Sequence, residues 1–180
     1  IETSIKKKEG FEEPHGMIST YFMTNRGKGI AEFSKPYIIF FEKSIQQMQP
    51  LLPILEQALR NNNPLVIFCE DLEGEAFSTL TVNVMEGKIK TCVIKSPFIG
   101  ERQIDYMEDM ALLTGGVYLS SQRGIPLQGA KLEHCGIADK IIVTKESTTI
   151  VGGKGKKENI DAMVISLKEK LKDITDERER

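Results

Sequence analysis

The sequence predicts an α/β domain: a mostly parallel inner sheet flanked by helices, plus β hairpins. Three observations carry that expectation. The runs "YIIFF" (37–41) and "PLVIFC" (64–69) are apolar without alternation, as in strands buried on both faces. Stretches of helical period separate and follow them, and strands alternating with helices argue for parallel pairing through crossovers. Near the end, "KIIVTKESTTIVGG" (140–153) reads as two strands joined by a turn at Glu146 and Ser147.

The elements follow in order. Residues 1–15, including "KKKEGFEE", are polar and lack periodicity, so they are expected to form a linker or hinge ahead of a domain spanning 16–180. Short extended pieces are expected around Met17–Met23 and Gly29–Phe33. Ser44, with Gln47 three residues later, has the form of a capping box opening a short turn. "QPLLPILEQALRNNN" (49–63) is a helix; its prolines fall at or before the first turn, and the Asn run from Asn61 ends it. "EDLEGEAFSTLTVNVMEG" (70–87) is the next, with Glu73 and Glu75 suiting the positive end of the dipole and Gly87 as the stop. "KIKTCVIK" (88–95) alternates as a strand should. "RQIDYMEDMALLTGG" (102–116) is a helix stopped by Gly115 and Gly116, then comes the short strand "VYLS". Residues 121–139 read as irregular. A last helix is expected from about Glu158 to Asp176, with Ile160, Val164, Leu167, Leu171 and Ile174 forming a narrow seam for a neighbouring helix or subunit.

Composition narrows the function classes. Of 180 residues, 40% are hydrophobic and 28% charged, ordinary for a globular domain. A formal net charge of -2 offers no electrostatic case for nucleic acid or an anionic membrane. Apolar runs such as "YIIFF" are far too short to cross a bilayer, and no secretory leader is expected. Cys69, Cys92 and Cys135 make an odd set, expected to be reduced, buried thiols in a cytosol-like compartment. A chain that starts at Ile1 and ends in "DERER" is expected to be cut from something larger.

Candidate chemistry is sparse. Glu70, Asp71, Glu73 and Glu75 follow a buried strand, where α/β enzymes hold Mg²⁺, so phosphoryl transfer using Glu70 and Asp71 is one alternative function. No phosphate-cradling glycine loop accompanies them, and solvated first-turn charges are the favoured reading. "GGKGKKEN" (152–159) lacks the phosphate-loop spacing and reads as an exposed basic turn. His134 beside Cys135, with His15 distant, has no metal-ligand spacing, and G-x-S-x-G is missing. No catalytic or metal residue is expected.

Apolar surface is the anomaly. In the helix after Pro50, Leu51, Leu52, Ile54, Leu55, Ala58 and Leu59 cover roughly 160°, where a core-facing stripe needs little over 100°. The excess lies at Leu52 and Leu59 on one margin and Ile54 on the other. In the next helix Ala76, Phe77, Leu80 and Val84 share a core face, while Val82 and Met85 point roughly the other way. Two successive helices with this excess are expected to border an apolar groove for extended or helical polypeptide, continued by Met17, Ile18, Tyr21 and Phe22.

These residues carry a resemblance. "EGEAFSTLTVNVMEG" (73–87) resembles the E-G-E-A-L-A-T-L-V-V-N-x-x-x-G helix of GroEL-type (group I) chaperonins. "LLPILE", "PLVIFCEDLEGE", "ALLTGGVYLSS" and "KESTTIVGG" match the family in order and spacing, without evident gaps from about Glu9 to the end. The resemblance implies a GroEL apical-domain-like fold over 16–180, with 1–15 close to the intermediate domain and a hinge near Gly10. It implies binding of non-native polypeptide, and of the co-chaperonin mobile loop, at Met17, Tyr21, Phe22, Leu52, Leu55, Phe77, Thr81, Val82 and Asn83. Periodicity alone puts Leu55 and Phe77 in the core, and neither route explains Met85. The family's ATP- and Mg²⁺-binding equatorial domain is not in these residues, so the implication is no ATPase activity and no cofactor here. A homo-oligomeric ring, in a bacterial cytoplasm or an organellar matrix or stroma, is the implied parent. The sequence departs from the family at Thr81 (usually Val), at His15 and Met17 (usually Arg and Tyr), and in "SPFIGERQ" (96–103). Thr81 is expected to make the groove centre more polar, and His15 takes the place of an inter-subunit ion-pairing Arg. A divergent paralogue with an altered client range or co-chaperonin affinity is the expectation. A scaffolding or signalling role is the other alternative.

Overall fold

A computed structural model describes residues 10–13, 15–98, 100–120, 124, 126–154 and 169. The expected last helix and its seam therefore lie outside the described residues, except for Glu169. The described residues form a mixed α/β arrangement of two sheets and three α-helices.

The first sheet holds the apolar runs. Strands β3 (Tyr37–Phe41), β4 (Leu65–Cys69), β5 (Thr91–Lys95) and β6 (Tyr118–Leu119) are parallel, in the order β5-β4-β3-β6. Ile39 pairs with Ile67, and Ile67 with Val93; all three are fully buried. Such strands are buried on both faces because helices cover them, which corrects the alternating reading of 88–95: Thr91 to Ile94 of β5 are all buried. Helix α1 (Leu52–Arg60) links β3 to β4, and α2 (Gly74–Met85) links β4 to β5. Helix α3 (Gly100–Thr114) returns from β5 to β6 on the far side of β3. Right-handed crossovers then set α1 and α2 side by side on one face and α3 on the other. That topology juxtaposes the two helices with excess apolar residues.

The outer edge of β3 is shared. Its carboxyl-terminal half pairs with β6, and its amino-terminal half pairs antiparallel with β7 (Gly136–Ile137). A Cβ on Gly136 would stand 2.1 Å from the Thr114 hydroxyl oxygen, so only glycine lets β7 lie against the end of α3. The span 121–139 is thus less irregular than its sequence reads: β7 and the 3-10 turns Leu127–Gly129 and Leu132–His134 fall within it.

The second sheet is antiparallel, in the order β1-β9-β8-β2, from β1 (Gly10–Glu13), β2 (Ala31–Ser34), β8 (Lys140–Val143) and β9 (Thr148–Val151). The expected hairpin is β8–β9, closed by a bond from Thr144 N to Ser147 O at 2.8 Å. Strand β1 corrects the linker reading of 1–15 at residues 10–13 alone: Gly10 pairs with Val151 and Glu13 with Thr148, so Gly10 sits in a regular ladder, while 1–9 and 14 lie outside the described residues. The predicted extended piece at Met17–Met23 is also corrected in part. Met17 bridges Ile94, but Thr20–Phe22 form a 3-10 turn capped by Ser19, whose Oγ accepts from Tyr21 N at 3.2 Å. Ser44 opens no helical turn; the next residue, Ile45, instead makes a parallel bridge to Leu72.

Candidate functional site

The approach to α1 is fastened to the start of α2. Glu73 N donates to Ile45 O at 2.9 Å and Ala76 N to Gln46 O at 3.1 Å. The carboxylates of the acidic cluster join in: Glu75 Oε1 accepts from Met48 N at 3.2 Å, and Glu73 Oε2 from the Gln46 side chain at 3.2 Å. Asp71 Oδ1 accepts from Leu72 N at 2.9 Å. These acids organise the backbone at the entry to two helices, where negative charge also suits the dipole. Among the described residues no three His, Cys, Asp or Glu side chains gather to hold a metal ion. A cleft of about 810 Å³ opens at the carboxyl ends of β3 and β6, yet Glu70 and Asp71 are not among its lining residues.

Past the carboxyl ends of the helices, the end of α1 and the loops that follow α1 and α2 border one cleft of about 160 Å³, lined by Leu59, Asn62, Asn63 and Gly87–Lys90. Gln57 fixes the rotation of α1: its amide donates to Ala130 O at 3.3 Å and accepts from Leu132 N at 3.2 Å. That flank is covered by the 3-10 turns. Leu52 and Leu59 lie roughly 150° around the helix from Gln57, away from that cover, and Leu59 borders the cleft it shares with the loop after α2.

Exposure follows this geometry. Leu52 is 44% exposed and Leu59 50%; on α2, Val82 is 51% and Met85 60% exposed. Tyr21, on the 3-10 turn that packs against α2 and β5, is 45% exposed. Four apolar side chains on two adjacent helices, with an aromatic beside them, form a wet apolar face. Leu112 on α3 and Ile137 on β7 are also exposed, away from it.

Not every predicted residue reaches that face. Met17, Phe22, Leu55 and Thr81 are buried, and so is Ile54, which corrects its placing at an open margin. Phe77 and Asn83 are half-buried. Thr81 does not make the surface polar: its hydroxyl turns back to Phe77 O at 2.8 Å and Ser78 O at 3.1 Å. Asn83 likewise donates from its side-chain amide back to its own helix, to Thr79 O at 2.7 Å. Met85, unexplained at the level of sequence, is the most exposed of the apolar set.

His15 has a partner within the chain. Its Nδ1 meets Glu13 Oε1, its N–H donates to Glu13 Oε2 at 3.0 Å, and its carbonyl accepts from the Thr148 hydroxyl at 2.7 Å. Burial raises the Glu13 carboxyl above its ordinary value, and the hydrogen bonds and charge of His15 oppose that rise. All three cysteines are free and buried, and burial pushes the Cys69 and Cys135 thiols up to about 12 and moves Cys92 in the same direction. No model of a known protein family matches the chain. Among the described residues no helix is long and apolar enough to cross a membrane.

Proposed function

We propose that this chain is the apical, polypeptide-binding part of a GroEL-type chaperonin, possessing a GroEL apical-domain-like fold and capturing non-native protein on the face between α1 and α2. The single observation that supports the reading is the exposure of Leu52, Leu59, Val82 and Met85 on adjacent helices, flanked by Tyr21. Burying apolar area yields roughly 25 cal/mol per Å² without demanding a sequence, and native proteins hide the groups that would supply it. Such a face separates unfolded from folded clients. Met and Leu side chains adapt to many shapes, and the half-buried Asn83 amide can hydrogen-bond a client backbone.

On this reading the co-chaperonin mobile loop competes for the same face, and one copy binds weakly while a homo-oligomeric ring gains affinity through linked engagement. ATP and Mg²⁺ belong to an equatorial domain of the parent, the segment itself hydrolyses nothing, and the setting is a bacterial cytoplasm or an organellar matrix or stroma. The pairing of His15 with Glu13 supports a divergent member, because that side chain is already committed within its own chain.

The test is aggregation of a chemically denatured client, followed by light scattering without nucleotide. The chain is expected to slow aggregation. The double substitution Leu52→Ser, Val82→Ser is expected to remove the protection while leaving the urea midpoint unchanged, since both side chains are already wet. Equal protection by a folded double variant overturns the assignment.

A further inference from the structure

We propose that a basic pocket beside the Thr20–Phe22 turn holds an acidic stretch of the same polypeptide whose apolar residues lie on the α1/α2 face; this rests on the function proposed above. The pocket is made by strand register. Ala31 of β2 pairs with Val143 of β8, so the turn entering β2 and the turn leaving β8 stand side by side at one end of the sheet. Each turn is rigid. Asn25 and Ile30 exchange backbone hydrogen bonds at 3.0 and 3.1 Å, Lys28 N donates to Asn25 Oδ1 at 3.1 Å, and Gly29 supplies the left-handed residue with φ +70°. Thr144 closes the second turn, its hydroxyl oxygen accepting from Glu146 N and Ser147 N at 3.1 and 2.9 Å.

Between them lies an open pocket of about 650 Å³ lined by Thr20, Met23, Arg26, Lys28, Lys145 and Glu146, among others. Three cations against one carboxylate leave a local charge of +2, on a chain whose net charge is -2. The three cations are exposed, and none forms an ion pair within the described structure. A concave wall with unpaired charges of one sign focuses its field on an incoming anion. Thr20 and Met23, which line the pocket, flank Tyr21 and Phe22, and their turn packs on α2, so one turn joins the pocket to the helix that carries Val82 and Met85. The lining lacks an aromatic ring for a base to stack on, which favours carboxylates of a polypeptide over nucleic acid.

The test uses fluorescence anisotropy with labelled peptides that share one amphipathic apolar segment: one plain, two with an Asp/Glu tail at one or the other end, and two with a Ser/Gly tail placed likewise. At low ionic strength the acidic tail is expected to lower Kd by roughly three- to tenfold relative to the neutral tail. That gain is expected to vanish at about 0.5 M salt and in the Arg26→Glu, Lys28→Glu variant, which binds the plain peptide as before. Equal affinity for acidic and neutral tails, or a gain that survives charge reversal, overturns the inference. So does a single-stranded oligonucleotide that displaces the acidic peptide at lower concentration than the unlabelled peptide does. If the plain peptide fails to bind at all, the polypeptide face itself is refuted.

Discussion

Glu13 brings a carboxyl to a site with no solvent exposure, and His15 is its partner. Burial raises the folded-state value above the ordinary 4.5, so the folded chain holds that proton more tightly than the unfolded one. Stability from this group is fully present below the unfolded value and is lost as pH rises through the folded one. His15 limits the loss by stabilising the charged form. His15→Ala is therefore expected to cost about 1–3 kcal/mol at neutral pH, because buried Glu13 loses its imidazole partner and keeps only the backbone N–H of residue 15. The cost should shrink below the ordinary carboxyl range, where Glu13 is protonated in both states. Urea unfolding of both proteins at pH 7 and at about pH 3 measures it; a pH-independent difference would mean that the pairing is not its source. At this scale the sequence is least legible. "KKKEGFEE" reads as solvated because nothing local says that Glu13 points inward, and Thr81 and Asn83 read as surface polarity although both fold back on their own helix.

Helix α1 shows what periodicity can and cannot read. An apolar stripe wider than a core needs is visible in the spacing of Leu51, Leu52, Ile54, Leu55, Ala58 and Leu59, and two of its margin residues, Leu52 and Leu59, are indeed wet. Ile54 is not, because the turns at 127–134 cover that flank, a cover arriving from far along the chain. Leu55 shows the reverse case: periodicity puts it inside, and it is buried, so the groove role implied for it by resemblance has little surface to act through. The helix thus divides its leucines between stability and surface. Leu55→Ala is expected to lower unfolding free energy by about 2–4 kcal/mol through lost burial and a cavity. Leu59→Ser should stay within about 0.5 kcal/mol of the parent. Urea midpoints at constant slope decide it; equal losses at both positions would place Leu59 in the core.

Across the whole molecule, the parallel sheet was legible because β3 and β4 are apolar end to end, and the β8–β9 hairpin because its turn is polar between β-branched runs. The closure of the second sheet by β1 and β2 was not, since it depends on partners more than a hundred residues away in sequence. The cysteines test whether the parallel sheet opens as one unit. Cys69 ends β4 and Cys92 lies in β5, where it pairs with Val66. Burial pushes the Cys69 thiol to about 12 and raises that of Cys92, so little reactive thiolate exists at pH 8 even before access is considered. An aromatic disulfide reagent is therefore expected to leave both unmodified in the native protein. Under mild urea the two should label at a common rate that tracks global unfolding, because separating β4 from β5 exposes both at once. Cys135 is held differently, by a short 3-10 turn and a two-residue strand, with its thiol bonded to Lys131 O at 3.6 Å. It is expected to label first, through local opening that spares the sheet. Mass spectrometry of quenched samples separates the three sites. Labelling of Cys92 ahead of Cys135 would show that the inner strands part before the outer turn does, and that the parallel sheet is not the cooperative core on which α1 and α2 stand.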